Sequence, residues 1–405
     1  MSPRLKSLLA NTALAVGSTV FTCAALFAGG ELVMRTKYGA VPPGPPSGWA
    51  RYDEQRGWAM KPGRYSYFDV RAARRVQVSI NELGLRGGPV APQPPQGVQR
   101  ITVLGDSFIF GPPVDDHETI PSRLQALAGK GYEIVGVAAP GYGTGQEYRL
   151  LEELRAKGYQ PGGKLILAFF TNDIQDNLGL EYSTLKPQPP QPVFDVDAAG
   201  NLHAKTFPAP KPHHGPREKP SLLERSLFWS YLRYQIDALL VSQPAILTTL
   251  DALGLTPRLP RTPGIVSGWY GPQWEERWQT TERVLDYVVR ALRSQPDAPE
   301  LYIAFVPSPF QLENGFRAAA KVNAKGDPAY QGFLENPDRP QHLLGAFAHR
   351  VGVPFVDLTP TVRQASLKAM MYFPREGHFN EAGNALAARV LYDKVVAPAG
   401  RQAGD

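Results

Sequence analysis

The stretch RITVLGDSFIFGPPV, residues 100 to 114, sets a short apolar run against an abrupt turn. Ile101, Val103 and Leu104 read as a buried strand. Gly105 permits a sharp bend because it carries no Cβ. Asp106 and Ser107 then stand where the strand stops, a position that suits the cap of a following turn or helix. Two readings compete. One is an ordinary strand and cap. The other is a nucleophilic Ser107 displayed at the carboxyl edge of a sheet, which requires a parallel sheet, a base and oxyanion donors from elsewhere in the chain.

The sheet is written in the alternation that follows. YEIVGV (132–137), KLILAFF (164–170), ELYIAFV (300–306) and VPFVDL (353–358) are short apolar runs. Between them lie helical patterns: HETIPSRLQALAG (117–129), GQEYRLLEELRAKG (145–158) and WEERWQTTERVLDYVVRALRS (274–294). Strands separated by helices predict an α/β fold, a parallel sheet with helices on both faces. Ligands bind such sheets outside the carboxyl ends of the strands, where Ser107 is expected. Upstream, RRVQVSINELGLRG (74–87) alternates, so Val76, Val78 and Ile80 share a strand face and residues 81–88 read as a turn.

The chain of 405 residues carries a formal net charge of +6 and a single cysteine, Cys23. No intramolecular disulfide or cysteine-based metal site is possible. Without a dense Lys/Arg block or an aromatic-basic stripe, no nucleic-acid partner is expected. At the N-terminus, Arg4 and Lys6 precede an uncharged run from Leu8 to Gly30. Its roughly 23 residues extend about 34 Å as a helix, enough to cross a bilayer. A core helix would be shorter and show a polar face. A cleaved signal is the alternative, with small residues near Ala28 but Leu26 at a position that favours a small side chain. A lipidation box at VFTC is disfavoured by Thr22. Although Arg35 and Lys37 blunt the positive-inside rule, the expectation is an uncleaved anchor with a cytoplasmic N-terminus, the domain lying on the periplasmic side.

VPPGPPSG (41–48) reads as a stiff spacer. From about 181 to 271 the alternation breaks into Pro-rich loops and one helix, SLLERSLFWSYLRYQIDALL, opened by a Ser221 to Glu224 capping box. Phe228, Trp229, Tyr231 and Tyr234 on that helix either pack or line a cleft. His213 and His214 lack partners for a metal site, and neither a metal nor a cofactor is expected.

A serine hydroxyl needs a base. His378 has the fitting context: in MYFPREGHFNEAG it lies after the last strand and before a helix that Asn380 can cap. His342 and His349 fall inside a helical pattern, and His117 at a helix start. Two carboxylates can orient an imidazole there: Glu376, two residues before His378, and Asp357, at the end of VPFVDL. Oxyanion donors are offered by the glycine-rich turn in VAAPGYGTGQE, at Gly141, and by the side-chain amide of Asn172 in LAFFTNDIQDN.

These blocks together resemble the SGNH, or GDSL, hydrolases over roughly residues 100–395. GDSFIFG resembles the serine block, PGYGTGQE the glycine block, TNDIQDN the asparagine block and EGHFNEAG the histidine block. The resemblance implies a flavodoxin-like three-layer α/β/α sandwich, Ser107 as nucleophile and His378 as base. It also implies an oxyanion hole of the Ser107 and Gly141 N–H groups with Asn172. Two departures stand out. Phe170 and Thr171 replace the glycine before the Asn-Asp pair, and Arg375 occupies the usual acid position. Glu376 resembles instead the Asp-x-His variant of alginate-acetylation-type members. Ile109, where an α/β-hydrolase elbow has its second glycine, argues against that other fold. The implied organisation is an anchor at 1–39, a spacer and strand region at 40–97, a hydrolase-like domain at 98–395 and a tail at 396–405. The implied activity is serine-dependent hydrolysis or transfer of acyl esters on envelope carbohydrates, lipids or small esters. The alternative is a non-catalytic carbohydrate-binding or envelope-assembly module on the same fold.

Overall fold

A computed structural model describes residues 2–39, 44, 48–180, 186, 190–209, 223, 225–255, 263–323 and 327–397. Eleven strands occur among them, in chain order β1 (Ala50–Asp53), β2 (Gly57–Met60), β3 (Gly63–Asp69), β4 (Arg74–Ile80), β5 (Gln99–Gly105), β6 (Tyr132–Ala138), β7 (Lys164–Phe170), β8 (Val193–Val196), β9 (Leu202–Lys205), β10 (Glu300–Val306) and β11 (Phe355–Asp357). Five of them form one parallel sheet in the order β11-β10-β7-β5-β6. Counted along the chain this is the flavodoxin-like order 2-1-3-4-5, with its reversal point between β5 and β7. The central strands are apolar throughout because both faces are covered: Val103, Leu104, Leu165, Ile166, Phe169 and Phe305 are completely buried.

Helices Ile120–Ala128 and Glu381–Leu391 pack together on one face. Helix Thr144–Ala156 packs against helix Trp274–Arg293 on the other. Helix Arg339–Arg350 joins this second layer through an ion pair of Arg350 with Glu282 at 2.7 Å. The result is the three-layer α/β/α sandwich.

Three antiparallel hairpins, β1-β2, β3-β4 and β8-β9, are added to it. Val76, Val78 and Ile80 turn their side chains inward from β4, as the alternation predicts. The following turn is closed by Asn81, whose Oδ1 accepts from the Leu83 and Leu85 N–H groups at 3.0 Å. The expected break between β7 and β10 is present but richer than loop and one helix. It holds β8-β9 and the helices Leu227–Ser242, Pro244–Ala252 and Pro263–Tyr270.

The first of these helices starts later than the sequence predicts. Ser226 is its N-cap, with Oγ accepting from Trp229 N–H at 2.9 Å. The same hydroxyl donates to Glu31 at 2.8 Å, so a tertiary contact selects the cap. Ser221 and Glu224 lie outside the described residues, as do His213, His214 and nearly all of the 41–48 spacer.

The N-terminal apolar run lies in a helix, Pro3–Tyr38, long and apolar enough to cross a membrane. None of its most apolar window is buried against the protein, which removes the core-helix reading.

Candidate active site

The carboxyl ends of β5 and β7 open side by side at the reversal point of the sheet. After β5 the chain makes one helical turn, Ser107–Phe110. Asp106 caps it, its Oδ1 accepting from Phe108 N–H at 2.8 Å. Gly105 is needed for space: a Cβ there would come within 2.3 Å of Ile109, which folds back over the strand end. This places Ser107 at the edge with its side chain toward the histidine loop.

That loop is built as a tight hairpin. Tyr372 and Phe379 form an antiparallel bridge, and Gly377 turns between them at φ +87°, a left-handed conformation that favours glycine. Asn380 caps the last helix through the Ala382 and Gly383 N–H groups, both at 3.0 Å. Glu313 supports the loop from below, accepting from Met371 N–H at 2.8 Å; burial pushes its carboxyl up to about 7. Phe108 packs against the His378 ring, with centroids 4.8 Å apart.

Three side chains form a continuous line. His378 Nε2 is 2.7 Å from Ser107 Oγ, and His378 Nδ1 is 2.5 Å from Glu376 Oε2. The same carboxylate oxygen accepts from the His378 backbone N–H at 2.9 Å. With Nδ1 donating to Glu376, Nε2 is left to accept the serine proton. Ser107 Oγ also lies 3.2 Å from Asp106 Oδ2, but it has one proton, and the shorter contact is the imidazole.

Burial works against the charged imidazole of His378. Glu376 opposes it and, with smaller help from Asp106 and Asp69, makes the net shift upward from the ordinary value. For Glu376, burial works against the carboxylate, while His378 and Arg71 overcome it and lower the value. Behind the serine, Glu147 and Asp173 are fully enclosed. Burial, then neighbouring carboxylates, pushes both well above the usual carboxylate range.

Gly141 lies in the turn after β6 at φ +75°. Trp58 from β2 sits directly beneath it, so a Cβ would meet the indole at 3.3 Å. Trp58 Nε1 donates to Pro140 O at 3.1 Å and Gln191 Nε2 to Gly141 O at 3.1 Å, which fixes the turn from two sides. Asn172 opens the turn Asp173–Asp176 after β7, buried at 6% exposure, and its side chain hydrogen-bonds Asp106. Thr171, which with Phe170 stands where the resembled motif has its glycine, is held by Trp269, whose Nε1 donates to Thr171 O at 2.5 Å.

Asp357 lies elsewhere. Its strand β11 is the sheet edge, three positions from β5, a separation of about 14 Å at the usual strand spacing. Its Oδ1 accepts at 2.8 Å from the N–H of Thr359, the first residue of the helix Thr359–Ser366. Arg375 points away from the imidazole toward Asp237, at 3.8 Å. His117, His342 and His349 are all outside the cluster, with His342 and His349 facing water.

Sequence reading missed Asp69, at the end of β3. It is buried, accepts from the Arg71 and Ala72 N–H groups at 2.9 and 2.8 Å, and adds negative charge near His378. Its only sequence signal is an acid at the start of a hairpin turn, which is common. Among the described residues no cluster of His, Cys, Asp and Glu suits a metal ion.

No family model and no curated protein matches the chain. Solved structures do. A carbohydrate acetylesterase family member from Sinorhizobium meliloti is 11% identical, with 75% of this chain and 98% of that one covered and a TM-score of 0.34. A member of the lipolytic protein G-D-S-L family from Veillonella parvula is 12% identical over 74% and 98%, with a TM-score of 0.36. The aryl esterase of M. smegmatis is 15% identical over 74% and 99%, with a TM-score of 0.31.

Proposed function

We propose that the chain is a membrane-anchored serine ester hydrolase of the SGNH type, with residues 98–395 as its hydrolase unit. The observation that supports this is the unbroken hydrogen-bonded line from Ser107 through His378 to Glu376 at a strand-end crevice. Ser107 Oγ attacks the ester carbonyl carbon as His378 Nε2 takes its proton. The carbonyl π electrons move to oxygen, and the oxyanion is held by the Ser107 and Gly141 N–H groups and the Asn172 amide. On collapse the C–O bond to the alcohol breaks, and the alcohol leaves with the proton from His378. Water, or a sugar hydroxyl if acyl transfer is the outcome, then attacks the acyl-serine by the same relay. Glu376 stabilises the transient imidazolium and fixes its tautomer. The substrates favoured are acyl esters of envelope carbohydrates or lipids.

A fluorophosphonate probe tests this reading. The wild-type chain should be labelled at Ser107 and lose its esterase activity in step. No labelling under conditions that label a control serine esterase would return the chain to the non-catalytic binding reading.

Asn172→Ala is expected to lower kcat by roughly 10²–10³, the range for one preorganised oxyanion donor. KM should change little, because the donor acts on charge that develops in the transition state. A change confined to KM would make Asn172 a substrate-binding residue.

The helix Pro3–Tyr38 is read as an uncleaved anchor, with the N-terminus in the cytoplasm and the hydrolase unit on the periplasmic side of the inner membrane. The full chain should remain with membranes after carbonate washing, since an apolar span is not held by charge. A mature N-terminus near Gly29 would overturn the anchor in favour of a cleaved signal.

A further inference from the structure

The helix Leu227–Ser242 is inverted relative to a helix on a water-facing surface. Its charged residues are Arg233 and Asp237, which pair at 3.4 Å, with Asp237 fully buried. Its outward stripe is Tyr231, Leu232, Ile236 and Leu239, exposed by 39, 37, 41 and 51%. The next helix, Pro244–Ala252, exposes Ile246 at 39%, and just past its end Leu253 and Leu255 are exposed at 67% and 65%. Soluble proteins scatter exposed leucines singly; a row of them, on a helix whose one carboxylate is turned inward, marks an interaction surface.

The position of this surface says what covers it. The helix packs on the N-terminal helix at the end of the apolar run. Phe228 meets Phe27 edge to face at 5.6 Å and lies on Gly30, where a Cβ would come within 2.6 Å of its ring. Glu31 accepts from the Ser226 hydroxyl at 2.8 Å and from Phe228 N–H at 3.0 Å. With residues 8–30 in a bilayer, residue 30 marks the bilayer edge. A helix packed on residues 27 to 31 is then at headgroup depth. Trp229 and Tyr231, with Arg35 and Lys37 just past the apolar run, are the residue types that settle at that depth.

We propose that the unit Leu227–Leu255 is an interfacial helix pair, seated in the surface of the bilayer that the N-terminal helix crosses. It presents the active site to esters whose acyl chains are dissolved in the membrane. The connection to the site is direct. Asp237 faces Arg375 at 3.8 Å, and Arg375 adjoins Glu376 in the histidine loop. Tyr234 packs with Val114 and Phe373, on the serine and histidine segments. This inference rests on the anchored esterase reading and names its substrate class, a membrane-borne ester.

The test uses the full chain with Cys23→Ser, reconstituted in vesicles of phosphatidylcholine and phosphatidylglycerol. Single cysteines replace Leu239, Leu253 or, as a control past the end of helix Thr144–Ala156, Lys157, and each carries an environment-sensitive fluorophore. Labels at Leu239 and Leu253 should emit to the blue and be quenched by nitroxide-bearing lipid, while the Lys157 label stays water-like and unquenched. Water-like emission at Leu239 and Leu253 overturns the proposal. Blue emission without lipid quenching overturns it in favour of a second copy of the chain covering the face. These readouts need no turnover, so they fail independently of the esterase reading. The pair Leu239→Glu with Leu253→Glu should slow hydrolysis of a vesicle-embedded long-chain ester and leave a soluble short-chain ester unaffected. Unchanged rates on both esters, or a parallel loss on both, would remove the membrane-borne substrate.

Discussion

Ser107→Ala should abolish turnover of an activated ester while the melting temperature stays near that of the parent chain. Removing a triad nucleophile costs up to about 10⁶ in rate, with a remainder from the oxyanion donors and binding. The fold should tolerate the change because the hydroxyl holds no structural element. The turn Ser107–Phe110 is capped by Asp106, and the Ser107 hydroxyl that the substitution removes contacts His378 and Asp106. Undiminished turnover by the purified variant would remove the nucleophile assignment, and with it the hydrolase reading.

Glu376→Gln is expected to cut kcat by a factor approaching 10⁴, the cost when a triad carboxylate is replaced by its amide. An amide can stabilise the wrong imidazole tautomer and cannot neutralise the imidazolium. The variant should also carry a signature in its pH profile. Glu376 is the main influence raising His378 against burial, so its loss lets burial dominate and the value falls. The rising limb of kcat/KM, which follows formation of neutral His378, should therefore move to lower pH. Asp357→Asn should barely change kcat and should lower the melting temperature slightly, because that carboxylate accepts from the first N–H of the helix Thr359–Ser366. A stable, inactive Asp357→Asn beside a nearly unaffected Glu376→Gln would reverse the assignment.

The contrast between these two acids marks how far the sequence could be read. The strands after residue 98 were legible because a strand buried on both faces is an unbroken apolar run. The edge on which Ser107, Asn172 and His378 emerge followed from parallel topology. Which carboxylate reaches the imidazole did not follow. Both Glu376 and Asp357 lie at the correct edge, and only the strand order shows that β11 is remote from β5. Asp69 was illegible for a related reason: its contribution depends on how the β3-β4 hairpin docks, a contact between segments about 300 positions apart in sequence. The cap at Ser226 was missed because Glu31, from the N-terminal helix, selects it. The β8-β9 hairpin was missed because its four-residue strands are too short to establish an alternation.

The proposed nucleophile and base are 271 positions apart, one just past the first strand of the parallel sheet and the other beyond its last. During synthesis at about 5–20 residues per second, roughly 14 to 54 seconds separate the making of Ser107 from that of His378. The N-terminal helix emerges well before either. On the proposed reading, a nascent chain is engaged by the membrane machinery while its serine has no base, and the proposed relay is assembled only when the histidine loop closes on the finished sheet. On the same reading, the order of the residues acts as a timer that keeps the centre silent until the domain is nearly complete.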